Sequence, residues 1–252
     1  MAISDALYVV EDWISEHYFT SDDASKTFTA RTKALMQEWR ATGEDDPNWR
    51  SPRERFTSAR TGLVSRLLEL QADAAALPQT AHPDQRREVL GERSVAFADE
   101  LRTILGYTGD TGDTGDEAAP GRWDVTTTGP LRRFATRGVD EAPLAMLDAL
   151  AADDVQDVLA KQAGHLPADV ILAEGTEDEQ RLTSVSQVLS ALAISKDAPE
   201  FLLVLAGRFA VLTSAQLWPQ GRYLVADLQT IAERNDLKRG GEIGRASCRE
   251  RV

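Results

Sequence analysis

The chain has 252 residues, 42% of them hydrophobic and 27% charged, with a formal net charge of −13. That is enough apolar sequence for one large core or two small ones. The acidic balance argues against a surface that grips nucleic acid throughout, since phosphate binding depends on clustered Lys and Arg. A single cysteine, Cys248, excludes a disulfide framework or a cysteine-built metal site. The start MAISDALYVVEDW has no basic n-region and no long apolar core, and no apolar run approaches the roughly 20 residues of a membrane helix. The expectation is a soluble, cytoplasmic protein with no membrane contact.

Residues 1–106 read as a helical subdomain. Ile3, Leu7, Val10, Ile14 and Tyr18 recur at spacings of 4, 3, 4 and 4, the stripe of an amphipathic helix. Phe28, Leu35 and Trp39 mark a second helix after the polar break TSDDASK, and ATGEDDPNWR ends it. The segment SPRERF is the strongest start signal: Ser51 can cap, Pro52 suits the first helical position, and Glu54 can close a capping box. Phe56, Ala59, Leu63, Leu67 and Leu70 then form the inward stripe of a third helix. A fourth begins near Asp84 with Leu90, Phe97, Leu101 and Ile104 on one face, and Gly106 is placed to stop it.

Residues 107–121 carry three copies of Thr-Gly-Asp followed by Pro and Gly, the composition of a flexible acidic linker. A calcium loop needs six or more converging oxygens, usually with a bidentate Glu, and the repeat does not supply them. Residues 122–239 read as a small α/β domain. RWDVTTT is β-branched, and APLAMLDAL is an apolar run behind a proline. Asp153 or Asp154 can cap VQDVLAKQAG, which Gly164 would end, and Ser184 can cap VSQVLSALAIS with Val185, Val188, Leu189 and Leu192 inward. The two apolar runs about Gly207-Arg208 predict a hairpin over 201–213. GRYLVADL predicts a further strand leading into the helix LQTIAER. The fold class expected is α+β, a helical subdomain packed against a small mixed sheet.

Residues 240–252 have neither helical nor strand periodicity. Reverse translation of Glu242 to Val252 resembles a common sequencing-library adapter read in frame. The expectation is an artefactual or disordered tail, with the biological sequence departing from this one near Gly241.

Few constellations point to chemistry. There is no Gly-rich turn after a strand, no phosphate-cradling G-x-x-x-x-G-K-[ST], and no G-x-S-x-G elbow. His17, His82 and His165 are far apart, with no partner at helical spacing, and metal ligation needs three or four converging groups. Glu174, Glu177, Asp178 and Glu179 form an acidic run, but no E-x-K follows on a strand, and Lys196 stands alone. The run reads as a solvated loop. Arg50, Arg53, Arg55, Arg60 and Arg66 cluster about the third helix, and Arg132, Arg133 and Arg137 form a second group. Either group can meet phosphates or form surface ion pairs.

The segment from Ala198 to Glu242 includes Pro199 through Gly207, Trp218, Gly221-Arg222-Tyr223-Leu224, Asp227 and Glu233-Arg234-Asn235-Asp236. It resembles a segment of large bacterial adenine-specific DNA methyltransferases of restriction–modification and phage-defence systems. Trp13-Ile14-Ser15-Glu16-His17-Tyr18-Phe19 and SPRERFTSAR are similar to the N-terminus of the same family. The resemblance covers both ends of the chain and is weaker in the middle. It implies a non-catalytic N-terminal region that scaffolds the methylase or contacts the DNA backbone. Its partner would be a downstream methylase domain of the same polypeptide, with DNA as a further partner. That domain would bind S-adenosylmethionine through a Gly-containing loop and handle a flipped adenine with an Asn/Asp-Pro-Pro-Tyr/Phe element. Neither occurs before Gly241, so no catalytic, cofactor-binding or metal-binding residue carries over. S-adenosylmethionine is expected for the parent protein alone. Two other classes remain: a stand-alone interaction module without activity, and a metal-dependent nuclease, which would need a Glu and a Lys converging with Asp169 or Asp227.

Overall fold

The computed structural model describes residues 2–4, 6–20, 27–78, 80–107, 123–136, 142–161 and 164–234. The Thr-Gly-Asp repeats, Arg137, Asn235, Asp236 and the adapter-like tail lie outside the described residues. The fold is α+β, with the helices α2 (Phe28–Asp45), α3 (Pro52–Ala76) and α4 (Pro83–Leu105) ahead of most of a mixed sheet. Among the described residues no helix is long and apolar enough to cross a membrane.

The helix boundaries follow local chemistry. Ser51 caps α3: its hydroxyl accepts from the Glu54 amide, and the Glu54 carboxylate accepts from the Ser51 amide at 2.9 Å. Gly106 ends α4 at φ +90, where a side chain would be strained. The second helix ends within ATGEDDPNWR as expected, at Asp45. Pro47 sets the end, because the residue before a proline is pushed out of the helical region, and Asp46 is extended at ψ 100. The helix predicted from Val155 to Gly164 is shorter than expected. It is α5 (Val155–Leu159), capped by Asp154. Val155, Val158 and Leu159 reach the core whereas Lys161 is exposed.

The stripe from Ile3 to Tyr18 is not a helix. Ala2–Ser4 form β1, Leu7–Val10 form β2, and only Glu16–Thr20 are helical, as α1. The spacing of Leu7 and Val10 fits a helix, but LYVV is also rich in strand formers. What decides is β10 (Tyr223–Asp227), against which β2 lies antiparallel with Leu7 opposite Ala226 and Val10 opposite Tyr223. Residues 2–4 and 7–10 therefore belong to the sheet rather than to the helices that follow them.

The remaining strands are β3 (Trp123–Thr128), β4 (Leu131–Thr136), β5 (Leu144–Asp148), β8 (Phe201–Ala206) and β9 (Phe209–Ser214). A separate two-stranded ribbon is made by β6 (Val170–Leu172) and β7 (Gln180–Leu182). The main sheet runs β1-β2-β10-β9-β8-β5-β4-β3. Its one parallel pair is β5 with β8, and α5, the ribbon and α6 (Val185–Ile194) make the crossover between them. The β8–β9 hairpin turns at Gly207-Arg208 as the sequence predicts, with Gly207 at φ +56 and Ala206 opposite Phe209.

Strand alternation sends the two faces of the sheet into two cores. Leu202, Val204, Ala206 and Val211 pack with Val185, Val188, Leu189 and Leu192 of α6. Leu205, joined by Leu203 and Ala210, packs with Leu63, Leu67 and Leu70 of α3 and Phe97, Leu101 and Ile104 of α4. The stripes read on α3, α4 and α6 thus supply the buried residues that cover the sheet from both sides, whereas Phe28, Leu35 and Trp39 of α2 are not buried.

Candidate functional site

The carboxyl ends of the parallel strands are where an open α/β sheet ordinarily holds a ligand. Here β5 ends on Asp148, which is 1% exposed. Its carboxylate accepts from both terminal nitrogens of Arg102 on α4 and from Arg132 on β4. Asp99, one turn before Arg102, pairs with the same two arginines, at 3.4 Å from Arg132. Burial opposes the charge on Arg102, but the hydrogen bonds and charges of Asp148 and Asp99 outweigh it and raise its pKa. The result is a closed network of two carboxylates and two guanidinium groups that ties α4 to the sheet. Arg132, a candidate for phosphate contact, is spent in it.

A second anchor lies at the neighbouring turn. Asp227 closes β10 and accepts from the Thr230 amide at 3.1 Å, capping α7 (Leu228–Arg234). Its other oxygen accepts from Arg208, whose guanidinium also lies 5.0 Å from the Phe209 ring centroid. Asp169 pairs with Arg87 and with Arg181, the latter at 3.3 Å. Among the described residues, Asp169 and Asp227 are paired with arginines and no Glu or Lys is recorded against them. Among the described residues no group of three or more His, Cys, Asp or Glu is gathered for a metal ion. The acidic run is an exposed turn between β6 and β7, where Glu179 accepts from the Gly175 amide at 2.9 Å.

The histidines stay apart. His17 is on α1, His82 caps α4 by accepting from the Asp84 amide at 3.3 Å, and His165 is half-buried between α5 and β6. His165 Nε2 is shielded from solvent and has no hydrogen-bond partner among the described residues. Burial, reinforced by the charge of Arg86, lowers its pKa.

The family-like residues do structural work. Trp218 donates to the Ser190 hydroxyl at 3.0 Å, and its ring centroid lies 6.3 Å from that of Tyr223. The Tyr223 hydroxyl accepts from Gln156 at 3.2 Å. Gly221 ends a short 3-10 turn, and the Arg222 carbonyl accepts from Thr213 at 2.7 Å. Glu233 accepts from Gln229 at 2.9 Å, one turn earlier on α7, and Arg234 ends that helix.

The first arginine group divides. Arg60 donates to the Ala232 carbonyl at 3.0 Å, joining α3 to α7, and Arg66 pairs with Glu100. Arg55 runs beside Gly106, its Nη2 2.9 Å from where a Cβ would stand. Arg133 is half-buried on β4, on the face away from Arg132. Arg53 donates to the Met36 sulfur at 3.4 Å, and exposed Arg50 donates to the Pro47 carbonyl at 3.1 Å.

Two clefts were not legible in the sequence. One, of about 780 Å³, lies at the amino ends of β5 and β8, lined by Trp13, Pro143, Lys196, Glu200, Phe201 and Leu217. The other, of about 490 Å³, lies between α2 and the start of α3, where Trp39 and Trp49 sit among Arg40, Arg50 and Arg53. The only forewarning of the buried network was Arg102 itself, set next to Leu101 in an otherwise apolar stripe. A scan against protein-family models returns no match, and comparisons with curated proteins and with solved structures return none either.

Proposed function

We propose that the chain is a non-catalytic region of a DNA adenine-N6 methyltransferase of a restriction–modification or phage-defence system. In this reading it scaffolds a downstream methylase domain and offers arginines to the DNA backbone. The observation that carries the scaffold role is the commitment of Asp148 and Asp227. Both stand at strand ends where a catalytic acid would be placed, and both are held by arginines, Asp227 also by the Thr230 amide. Groups so paired brace the fold instead of transferring protons. The methyltransferase assignment rests on the segments around Trp13 and from Pro199 to Asp227, and S-adenosylmethionine would belong to the downstream domain. The link from Arg60 to Ala232 bears on the same role, since it braces α7, the last described element, against α3.

The test is calorimetry with S-adenosylmethionine alongside a methyl-transfer assay on adenine-containing DNA. The 252-residue chain is expected to neither bind the cofactor nor transfer a methyl group, while the chain extended by its downstream coding sequence does both. Cofactor binding by the chain alone contradicts the reading.

An interaction module without activity is the second reading, and α2 favours it. Among the described residues no α2 side chain is buried, and Leu35 on it is 42% exposed. A helix left so open is a ready surface for a partner.

A further inference from the structure

The cleft between α2 and α3 has a composition that neither helix shows alone. Met36, Trp39, Arg40 and Gly43 fall at i, i+3, i+4 and i+7, one face of α2. The turn after Asp46 brings Trp49 back against that face, its Cε3 3.9 Å from where a Cβ on Gly43 would stand. Arg53 closes the floor by donating to the Met36 sulfur at 3.4 Å. Trp39 and Trp49 are both half-buried and line the cleft, and Arg40 and Arg50 are exposed at its rim.

The lining is positive by one charge, with Arg40, Arg50 and Arg53 against the two carboxylates Glu44 and Glu54. Glu54 is engaged by the Ser51 amide and hydroxyl at 2.9 and 3.0 Å. This occurs on a chain with a net charge of −13. The volume of about 490 Å³ is of the size that holds small ligands. Aromatic side chains beside arginines are what unpaired nucleobases require. Every base has a π-face to stack, and the phosphate beside it suits a planar, weakly hydrated guanidinium.

We propose that this cleft binds an unpaired nucleobase of a single-stranded nucleic acid, stacked on Trp39 and Trp49, with the flanking phosphates on Arg40 and Arg50. The proposal rests on the reading that this chain contacts nucleic acid, and it names where and in what form. A duplex hides the faces of its bases in its own stack, so the cleft favours single strands.

The test is a titration of the full chain, followed by tryptophan fluorescence and gel mobility at about 50 mM salt. The probes are a thymidylate 12-mer, an abasic strand of equal length and the corresponding duplex. The thymidylate strand is expected to bind about 10-fold or more tighter than either competitor, within the range stacking on one or two aromatic rings gives. Trp39→Leu and Trp49→Leu should each weaken it about 10-fold, while Trp49→Phe, which keeps a ring against Gly43, stays within about 3-fold. Arg40→Gln with Arg50→Gln should lower the slope of affinity against salt. Equal binding of thymidylate and abasic strands, or leucine variants that bind like the parent, overturns the stacking site and leaves backbone contact standing. No binding of any nucleic acid overturns both. Tryptophan quenching by a proline-rich peptide but not by the strands overturns the ligand class.

Discussion

Arg102 on α4 and Asp148 at the end of β5 form an ion pair whose side chains are 4% and 1% exposed. Taking two charges out of water is costly, and the cost is met here because Arg132 and Asp99 fill the remaining hydrogen-bonding positions. Asp148→Ala removes the acceptor and leaves Arg102 buried without its main partner. The expected loss is about 3–5 kcal/mol, read from urea denaturation. Arg132→Ala, at a side chain 20% exposed, should cost clearly less. Equal losses would mean that the network is not organised around Asp148.

Two glycines should respond to alanine with opposite signs. At Gly207 the backbone is left-handed, and a Cβ would stand 2.7 Å from the Ala151 Cβ. Gly207→Ala should destabilise by roughly 2 kcal/mol or more, from backbone strain and displacement of the strand end. Gly91 lies within α4 with nothing within 4 Å of its missing Cβ. Gly91→Ala should therefore stabilise by about 0.5–1 kcal/mol, since glycine is the poorer helix residue. Thermal melts of the two variants separate these outcomes.

The capping box at Ser51 sets where α3 begins. Ser51→Ala removes the hydroxyl that receives the Glu54 amide, with an expected cost of about 1 kcal/mol. The Ser51 amide, with its hydroxyl, also holds the Glu54 carboxyl below its usual pKa. A lowered carboxylate pKa adds stability that is present above the unfolded value and lost as pH falls through the folded one. The deficit of Ser51→Ala should thus be full near neutrality and shrink in acid, which denaturation at pH 7 and at pH 3 would check.

His165 should make stability fall on mild acidification. Burial, then the charge of Arg86, lowers its pKa, with Asp157 opposing. The unfolded chain therefore takes up the proton first, and stability drops as pH falls through the ordinary histidine range near 6.5. The drop levels off once the folded state is protonated too. His165→Phe, of similar volume, should flatten the dependence of stability on pH between about 7 and 5. An unchanged slope would assign it to other groups.

What the sequence disclosed was mostly local. The Ser51 box, the Gly106 stop, the Gly207 hairpin and the stripes of α3, α4 and α6 depend on residues within a few positions of one another, and all are found in the fold. What it hid depends on distant pairing. Leu7 to Val10 satisfy a helical spacing, and only β10, more than 200 residues later, makes them a strand. The parallel pairing of β5 with β8 is likewise invisible without the crossover. Arg132 looked like a free cation because Asp148 and Asp99 reach it from other elements. Trp39 and Trp49, each followed by an arginine, share one cleft only because the turn at Pro47 brings them together.

The measurement that bears most directly on the scaffold assignment is a long read of the source DNA downstream of the codon for Gly240. The account predicts an open frame that departs from the adapter-like codons. It should continue into a Gly-containing loop and an Asn/Asp-Pro-Pro-Tyr/Phe element. Adapter-like codons present in the genome, followed by a natural stop after Val252, would contradict it and leave the interaction module.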